Sequence, residues 1–326
     1  MDIINKKEIS GIQILRGLAS LAVVLCHASF ALTAYPALSG FLMNGQLGIH
    51  IFFFISGYIV IYSLLKNKYS VKYFFHFLAK RSIRIDPMYI LTIFLTLASF
   101  WVFSFFPTFK GKAIPFIFQQ FAAHLIYIVP FTKWPFYNHV FWTLCIEFQF
   151  YILIGTLYFV VNKWPFKAIF IIAFSLCCFI NVPNSYYLLI NYAPIFAMGI
   201  ALIEYQMTKK NIYAICFIVC GILTYLHFDL LTLALILASA AVVVLNKKKY
   251  LILIFFGNIS YSLYLIHPLV LLYLNGITRR FLPHLLSYQL IVLMMQLIFS
   301  IAVAYLFYFL IEKPSIKLSK KIKISS

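Results

Sequence analysis

Apolar runs of helix length recur from one end of this chain to the other, and they leave few folds open. Ten can be marked: Ile12 to Ala34, Leu47 to Leu65, Met88 to Phe106, Val140 to Val161, Phe166 to Ile180, Tyr186 to Tyr205, Ile212 to Leu226, Leu230 to Leu245, Phe256 to Asn275 and Leu286 to Ile311. A bilayer core about 30 Å thick is crossed by about 20 residues of helix, and lipid offers a backbone no hydrogen bonds of its own. With 64% hydrophobic and 10% charged residues in 326, the chain holds more apolar surface than a soluble domain of this length buries. It is expected to be all-α, a polytopic transmembrane helical bundle of about ten spans. A single domain over residues 1–326, with no soluble domain appended, is the expected organisation. The fifth and seventh runs are short and should lie tilted or partly buried. The first run is too long for a signal-peptide core and is read as an uncleaved helix. Phe116 to Phe131, with Gln119, Gln120, His124 and Pro130 inside it, reads as a re-entrant or interfacial segment.

The formal net charge of +19 would suggest a nucleic-acid partner in a soluble protein. Here the basic residues sit in short loops, and no nucleic acid is expected. With the N-terminus placed inside, 20 of the 26 Lys and Arg fall in inner segments. The outer segments hold five, Lys110, Lys112, Lys133, Arg279 and Arg280, and Arg16 lies in the first span. By the positive-inside rule both termini are cytoplasmic, in a multi-pass protein of the cytoplasmic (inner) membrane. The six cysteines fall in apolar spans with neither zinc spacing nor a disulfide framework, so they read as small buried apolar residues and no metal is expected.

Ionisable groups inside spans are costly and mark function by default. The first span holds Arg16 and His27, eleven residues apart, which is about three helical turns and about 16 Å along one face. Among the acids, only Glu147 lies well inside a span, about 10 Å from its outer end. His27 is about 22 Å from the inner face, so the two share a depth and could meet as a general base with its orienting acid. A structural hydrogen bond between helices is the other reading. Arg81 and Arg84, one turn apart with Lys80 beside them, precede the third span. Two guanidiniums on one face suit the phosphates of a nucleotide-like ligand, or they anchor the chain beside anionic lipid. Asp86 could pair with either arginine. Gly45, Gly48 and Gly57 would allow close helix approach in the second span, where His50 lies near the outer end. His267 sits near the middle of the ninth span, followed by Pro268, which frees a carbonyl. Glu312, Lys313 and Pro314 read as a helix stop with local charge pairing.

LRGLASLAVVLCH (Leu15 to His27), GIHIFFFISGY (Gly48 to Tyr58), KRSIRIDPMY (Lys80 to Tyr89), FWTLCIEFQFY (Phe141 to Tyr151), FGNISYSLYLIHP (Phe256 to Pro268) and IEKP (Ile311 to Pro314) together resemble the acyltransferase-3 family of integral membrane acyltransferases. The resemblance implies transfer of an acyl group, usually acetyl, from cytoplasmic acyl-CoA to a hydroxyl of a surface glycan or lipid-linked sugar. It makes His27 and Glu147 the catalytic pair and places Arg16, Arg81, Arg84 and Lys80 on acetyl-CoA. His50, Trp142 and His267 are weaker candidates for contact with the acceptor. Two positions depart from the family pattern: His50 stands where an acidic residue is frequent, and Thr143 replaces a serine after Trp142. A proton-coupled transporter or flippase of a glycolipid would also need buried His, Glu and Arg, but not a basic pair poised for CoA. A non-catalytic scaffold of an envelope assembly would need none of them.

Overall fold

A computed structural model describes residues 6–105, 114–158, 164–246, 248–281 and 286–324. The expected span ends Phe106 and Val161 and the loop lysines Lys110 and Lys112 lie outside them. The described chain is all-helical, without strands among the described residues. The helices are α1 (Lys6–Ala28), α2 (Pro36–Met43), α3 (Gly48–Lys66), α4 (Phe74–Phe103), α5 (Phe118–Leu125), α6 (Trp142–Leu153) and α7 (Trp164–Leu176). They continue as α8 (Ala193–Thr208), α9 (Asn211–His227), α10 (Leu230–Leu245), α11 (Leu251–Phe281), α12 (Leu286–Phe307) and α13 (Lys313–Ser319).

Each of the ten expected runs overlaps a helix, but the sixth, Tyr186 to Tyr205, is α-helical only from Ala193, and fewer than the ten expected spans are of spanning length among the described residues. Six stretches are long and apolar enough to cross a membrane: Ser10–Ala31, Pro36–Lys66, Val71–Phe103, His139–Tyr158, Leu251–Gly276 and Tyr288–Ser319. Pro165–Phe179, Asn211–His227 and Leu230–Leu245 are apolar but shorter. The outer surface is greasy in a way only lipid tolerates. On α9, Ile215, Ile218, Ile222 and Leu226 are each more than half exposed, at the three-and-four spacing of one helix face. The protein is therefore a multi-pass membrane protein. The segment expected to be re-entrant holds only the eight-residue α5, too short to span.

Close backbone contact organises the bundle. α1 packs along α11 more extensively than any other pair of elements. A Cβ on Gly257 would stand 2.1 Å from the Gln13 carbonyl oxygen, and one on Gly17 would stand 2.8 Å from that of Leu253. The three glycines expected to permit close approach do so: Gly45 and Gly48 rest on the α1 carbonyls of Ala22 and Ala19, and Gly57 on that of Phe196 in α8. Without a hydrophobic drive between helices in lipid, this kind of contact is what joins them.

Hydrogen bonds define the two ends. Ser10 to the Lys248 carbonyl, Tyr69 to that of Gly155 and Lys80 to that of Ile322 lie at the lysine-rich end. At the other end, Gln289 accepts from the Ala34 N–H and donates to Thr33.

α4 begins well before the expected third span and runs unbroken through Pro87. The basic cluster thus lies inside a helix, not in front of one. A proline removes one backbone bond, and neighbouring helices can satisfy the carbonyl it frees. One hydrophobic core gathers α3, α6, α7, α8 and α9. A second gathers α1, α4, α6 and α11.

Gly257→Ala should lower the thermal stability of the purified protein by about 1–3 kcal/mol, the usual cost of overpacking. Gly40→Ala, where an added Cβ meets nothing within 4 Å, should leave it unchanged; melting curves in detergent compare the two.

Candidate active site

Between the two cores lies a cavity of about 260 Å³. α1 contributes Gln13 and Arg16, α3 contributes Ser56, and α4 contributes Arg81 and Arg84. α6 contributes Thr143, Glu147 and Tyr151, α11 contributes Ser260, Tyr261 and Tyr264, and the end of the α12 span contributes Glu312. The cavity thus brings together three of the four expected donor-binding residues with one of the two expected catalytic ones. Arg16 of the first span faces this cavity.

Three guanidiniums against two carboxylates leave the lining with a formal excess of one positive charge. An arginine stays charged even when buried. In a low-dielectric interior that excess favours an anionic guest. Arg81 lies between two rings, its Cζ 5.2 Å from the centroid of Tyr151 and 5.5 Å from that of Phe77. Its buried Nε has no hydrogen-bond partner. The stacking aims the fork without consuming all of its donors.

Glu147 accepts hydrogen bonds on Oε1 from Ser56 at 3.0 Å and from Tyr151 at 2.5 Å. Glu312 accepts on Oε2 from the Ser262 hydroxyl at 2.6 Å and from its N–H at 3.1 Å. It also interacts electrostatically with Arg16 and Arg84. A π-helical turn, Tyr308–Glu312, ends α12 and leaves Glu312 only 2% exposed. Such turns insert one extra residue and re-aim a side chain, often at functional sites. Glu312 is thus not the helix stop expected from the sequence, since α13 follows directly and Lys313 lies over the Phe309 ring.

Other expected partners also differ. Asp86 accepts from the Tyr127 hydroxyl at 2.6 Å, so its carboxylate is tied to the α5–α6 connection and not to the arginines. Lys80 lies outside the cavity lining and donates to the Ile322 carbonyl at 3.0 Å, pinning the C-terminal segment.

His27 lies toward the other end, outside the cavity lining. Its ring centroid is 4.8 Å from that of His139 and 5.2 Å from that of His267. Among the described residues no hydrogen bond joins His27 to Glu147, and the contact expected from their common depth does not form. Equal depth fixes position along the bundle axis, but not the direction in which each helix turns its side chain. Between the cavity and the histidines stands Tyr264. Its hydroxyl meets Thr143 at 2.9 Å and donates to the Val140 carbonyl at 3.1 Å, while its ring lies 6.0 Å from His267.

His139 was not legible as a site residue. It sits one position before the fourth apolar run, where a hydropathy reading trims polar residues away. The available signal was that it opens the same helical stretch as Glu147, directly after the capping residue Asn138. His50 and Trp142 lie apart from the histidine cluster and meet through Tyr192, with ring centroids 5.9 and 5.7 Å from it. Tyr186 and Phe228 extend this aromatic group.

With this geometry in hand, comparison with family models matches residues 9–312 to an acyltransferase domain, that of the acyltransferase-3 family. The chain belongs to that family. The match covers nearly the whole chain, with five of the six motifs in full and the first two residues of the sixth. No curated protein and no solved structure gives a significant match. Both the buried arginines and the histidine cluster lie within the matched residues.

Glu312→Ala should cost about 3 kcal/mol of stability, because it removes two hydrogen bonds to a buried carboxylate. Glu312→Gln, which can still accept from Ser262, should cost less than half as much; thermal denaturation measures both.

Proposed function

We propose that this acyltransferase moves an acetyl group from cytoplasmic acyl-CoA to a hydroxyl of a cell-surface glycan or lipid-linked sugar. The observation that carries the reading is the buried cavity with three arginines and a net positive lining, set beside a histidine cluster in a chain of this family. The cavity lies nearer the lysine-rich end, which the positive-inside rule assigns to the cytoplasm. Acyl-CoA enters there, with Arg81, Arg84 and Arg16 on its phosphates. Its pantetheine arm runs toward the histidines past Tyr264. This bulky side chain must swing aside, exchanging its bonds to Thr143 and Val140, to admit the thioester.

His27 acts on the acceptor hydroxyl as general base. The hydroxyl oxygen attacks the thioester carbonyl, a C–O bond forms and the C–S bond breaks. The proton taken by His27 passes to the departing thiolate, so the enzyme ends as it began. Transient transfer of the acyl group to His27 itself is the second route, and it leaves the same products. Glu147 serves the donor cavity in this reading, holding Tyr151 under Arg81. His50 and Trp142, joined through Tyr192, form an aromatic surface at the acceptor end on which a sugar ring could stack.

Purified protein given labelled acetyl-CoA and an acceptor glycan tests the proposal. His27→Ala should lower transfer by about 10²–10⁴-fold, the usual contribution of a general base, without loss of folded protein. Full activity in that variant would exclude His27 from the chemistry. Arg81→Ala combined with Arg84→Ala should weaken acetyl-CoA binding at least tenfold, read by titration calorimetry. Unchanged affinity would return both arginines to lipid anchoring. A transporter would leave the thioester intact throughout.

A further inference from the structure

His267 carries a buried atom that nothing among the described residues satisfies. The side chain is fully buried. Its Nδ1 lies 3.1 Å from the Leu263 carbonyl, four residues back on α11. A carbonyl can only accept, so Nδ1 carries the proton and Nε2 carries a lone pair in the neutral ring. Pro268, the next residue, has no N–H to give the Tyr264 carbonyl, so this turn of α11 is loosened where the imidazole reaches back to it. Nε2 is buried and without a partner. An unsatisfied buried acceptor costs about 1–3 kcal/mol and calls for an explanation.

The ring nearest to it supplies one. His267 and His27 stand with centroids 5.2 Å apart and planes tilted by 34°. Nδ1 is turned back to the α11 backbone, so Nε2, on the far side of the ring, is turned away from it. At that centroid distance an N–H of His27 directed at His267 would come within hydrogen-bond reach of the lone pair.

We propose that His267 is the positioning residue of His27. It accepts a hydrogen bond from one imidazole nitrogen and so leaves the other nitrogen of His27 as the free base. The chain of orientation runs from the Leu263 carbonyl through His267 to His27, and the lone pair takes the place a carboxylate holds in other catalytic histidine pairs. A neutral partner suits this depth of the bundle, where a second carboxylate would need desolvation. His139, edge-on to His27 at 4.8 Å with planes at 62°, approaches from another element. This role replaces acceptor contact as the function of His267.

The inference rests on His27 being the base of the proposed reaction, so its test has one arm that needs no turnover. Histidine-selective ¹⁵N solid-state spectra of the full-length protein in lipid, assigned by single substitutions, report the tautomer of His27. Wild-type protein should show one neutral tautomer at His27, and His267→Leu should show both. Two tautomers in the wild type, or one in the variant, would overturn the assignment whatever the reaction is.

The second arm is kinetic. His267→Leu should lower kcat by about 10²-fold while the KM for acetyl-CoA stays within about twofold. His267→Gln, which can place a carbonyl oxygen where Nε2 stood, should recover at least tenfold of that loss. A purely structural role predicts that both variants lose activity in proportion to their melting temperatures. Equal kcat in the leucine and glutamine variants at matched stability would overturn the proposal. If His27→Ala keeps full activity while the tautomer result holds, the proposed chemistry fails and the positioning contact stands.

Discussion

The contact between α1 and α11 holds the rest of the structure in place. Two helices in lipid gain nothing from hiding apolar side chains from each other, so they associate by fitting closely. Gly17 and Gly257 remove the side chains that would keep the backbones apart. The helices then run parallel for much of their length. Two consequences follow at different heights. Near the lysine-rich end, Arg16 of α1 comes beside the turn of α11 that Glu312 anchors through Ser262. Near the other end, His27 comes beside His267. One packing seam therefore runs past both the cavity and the histidine cluster and sets the distance between them.

The buried charge is arranged to be held without being cancelled. Glu147 and Glu312 each take two hydrogen bonds from their surroundings. They offset part of the charge of three arginines. The remainder keeps the cavity attractive to an anion, and the ring stacking of Arg81 holds its fork in a fixed direction. The π-helical turn before Glu312 gives up regular backbone geometry to point a carboxylate inward. Tyr264 separates this polar cavity from the histidines, so the two centres sit on opposite sides of a single side chain. In the proposed transfer, such a partition would keep water and ions from a continuous path.

Much of the fold was legible. Each run marked by hydropathy overlaps a helix because lipid leaves a chain of this composition little else to form, although only six helical stretches are long enough to span among the described residues. The glycines of the second span announced a close approach that is observed at all three. Boundaries were less legible, as at the third run, which was started at Met88 although its helix begins at Phe74. α4 passes through Pro87, and its basic residues belong to the helix. Of the site, residue types were legible and partners were not. Asp86 was matched to arginine on charge alone, whereas the structure gives it to Tyr127. Lys80 was grouped with Arg81 by adjacency, but neighbours on a helix point about 100° apart. Lys80 faces the C-terminal segment while Arg81 faces the cavity.

The sequence by itself determined the solvent, the secondary structure, the family motifs and the small set of ionisable residues buried at cost. Each of these follows from local composition or from order along the chain. The tertiary structure decided who meets whom. His27 joins His139 and His267, Glu147 joins Ser56, Tyr151 and the arginines, and Glu312 turns from a chain end into part of a cavity wall. Hydropathy reports how deep a residue lies along the bundle axis. It says nothing of the rotation of each helix about its own axis or of its neighbours. Those are set by where backbones can touch and where a π-helical turn shifts the register, and they exist only once the helices have packed.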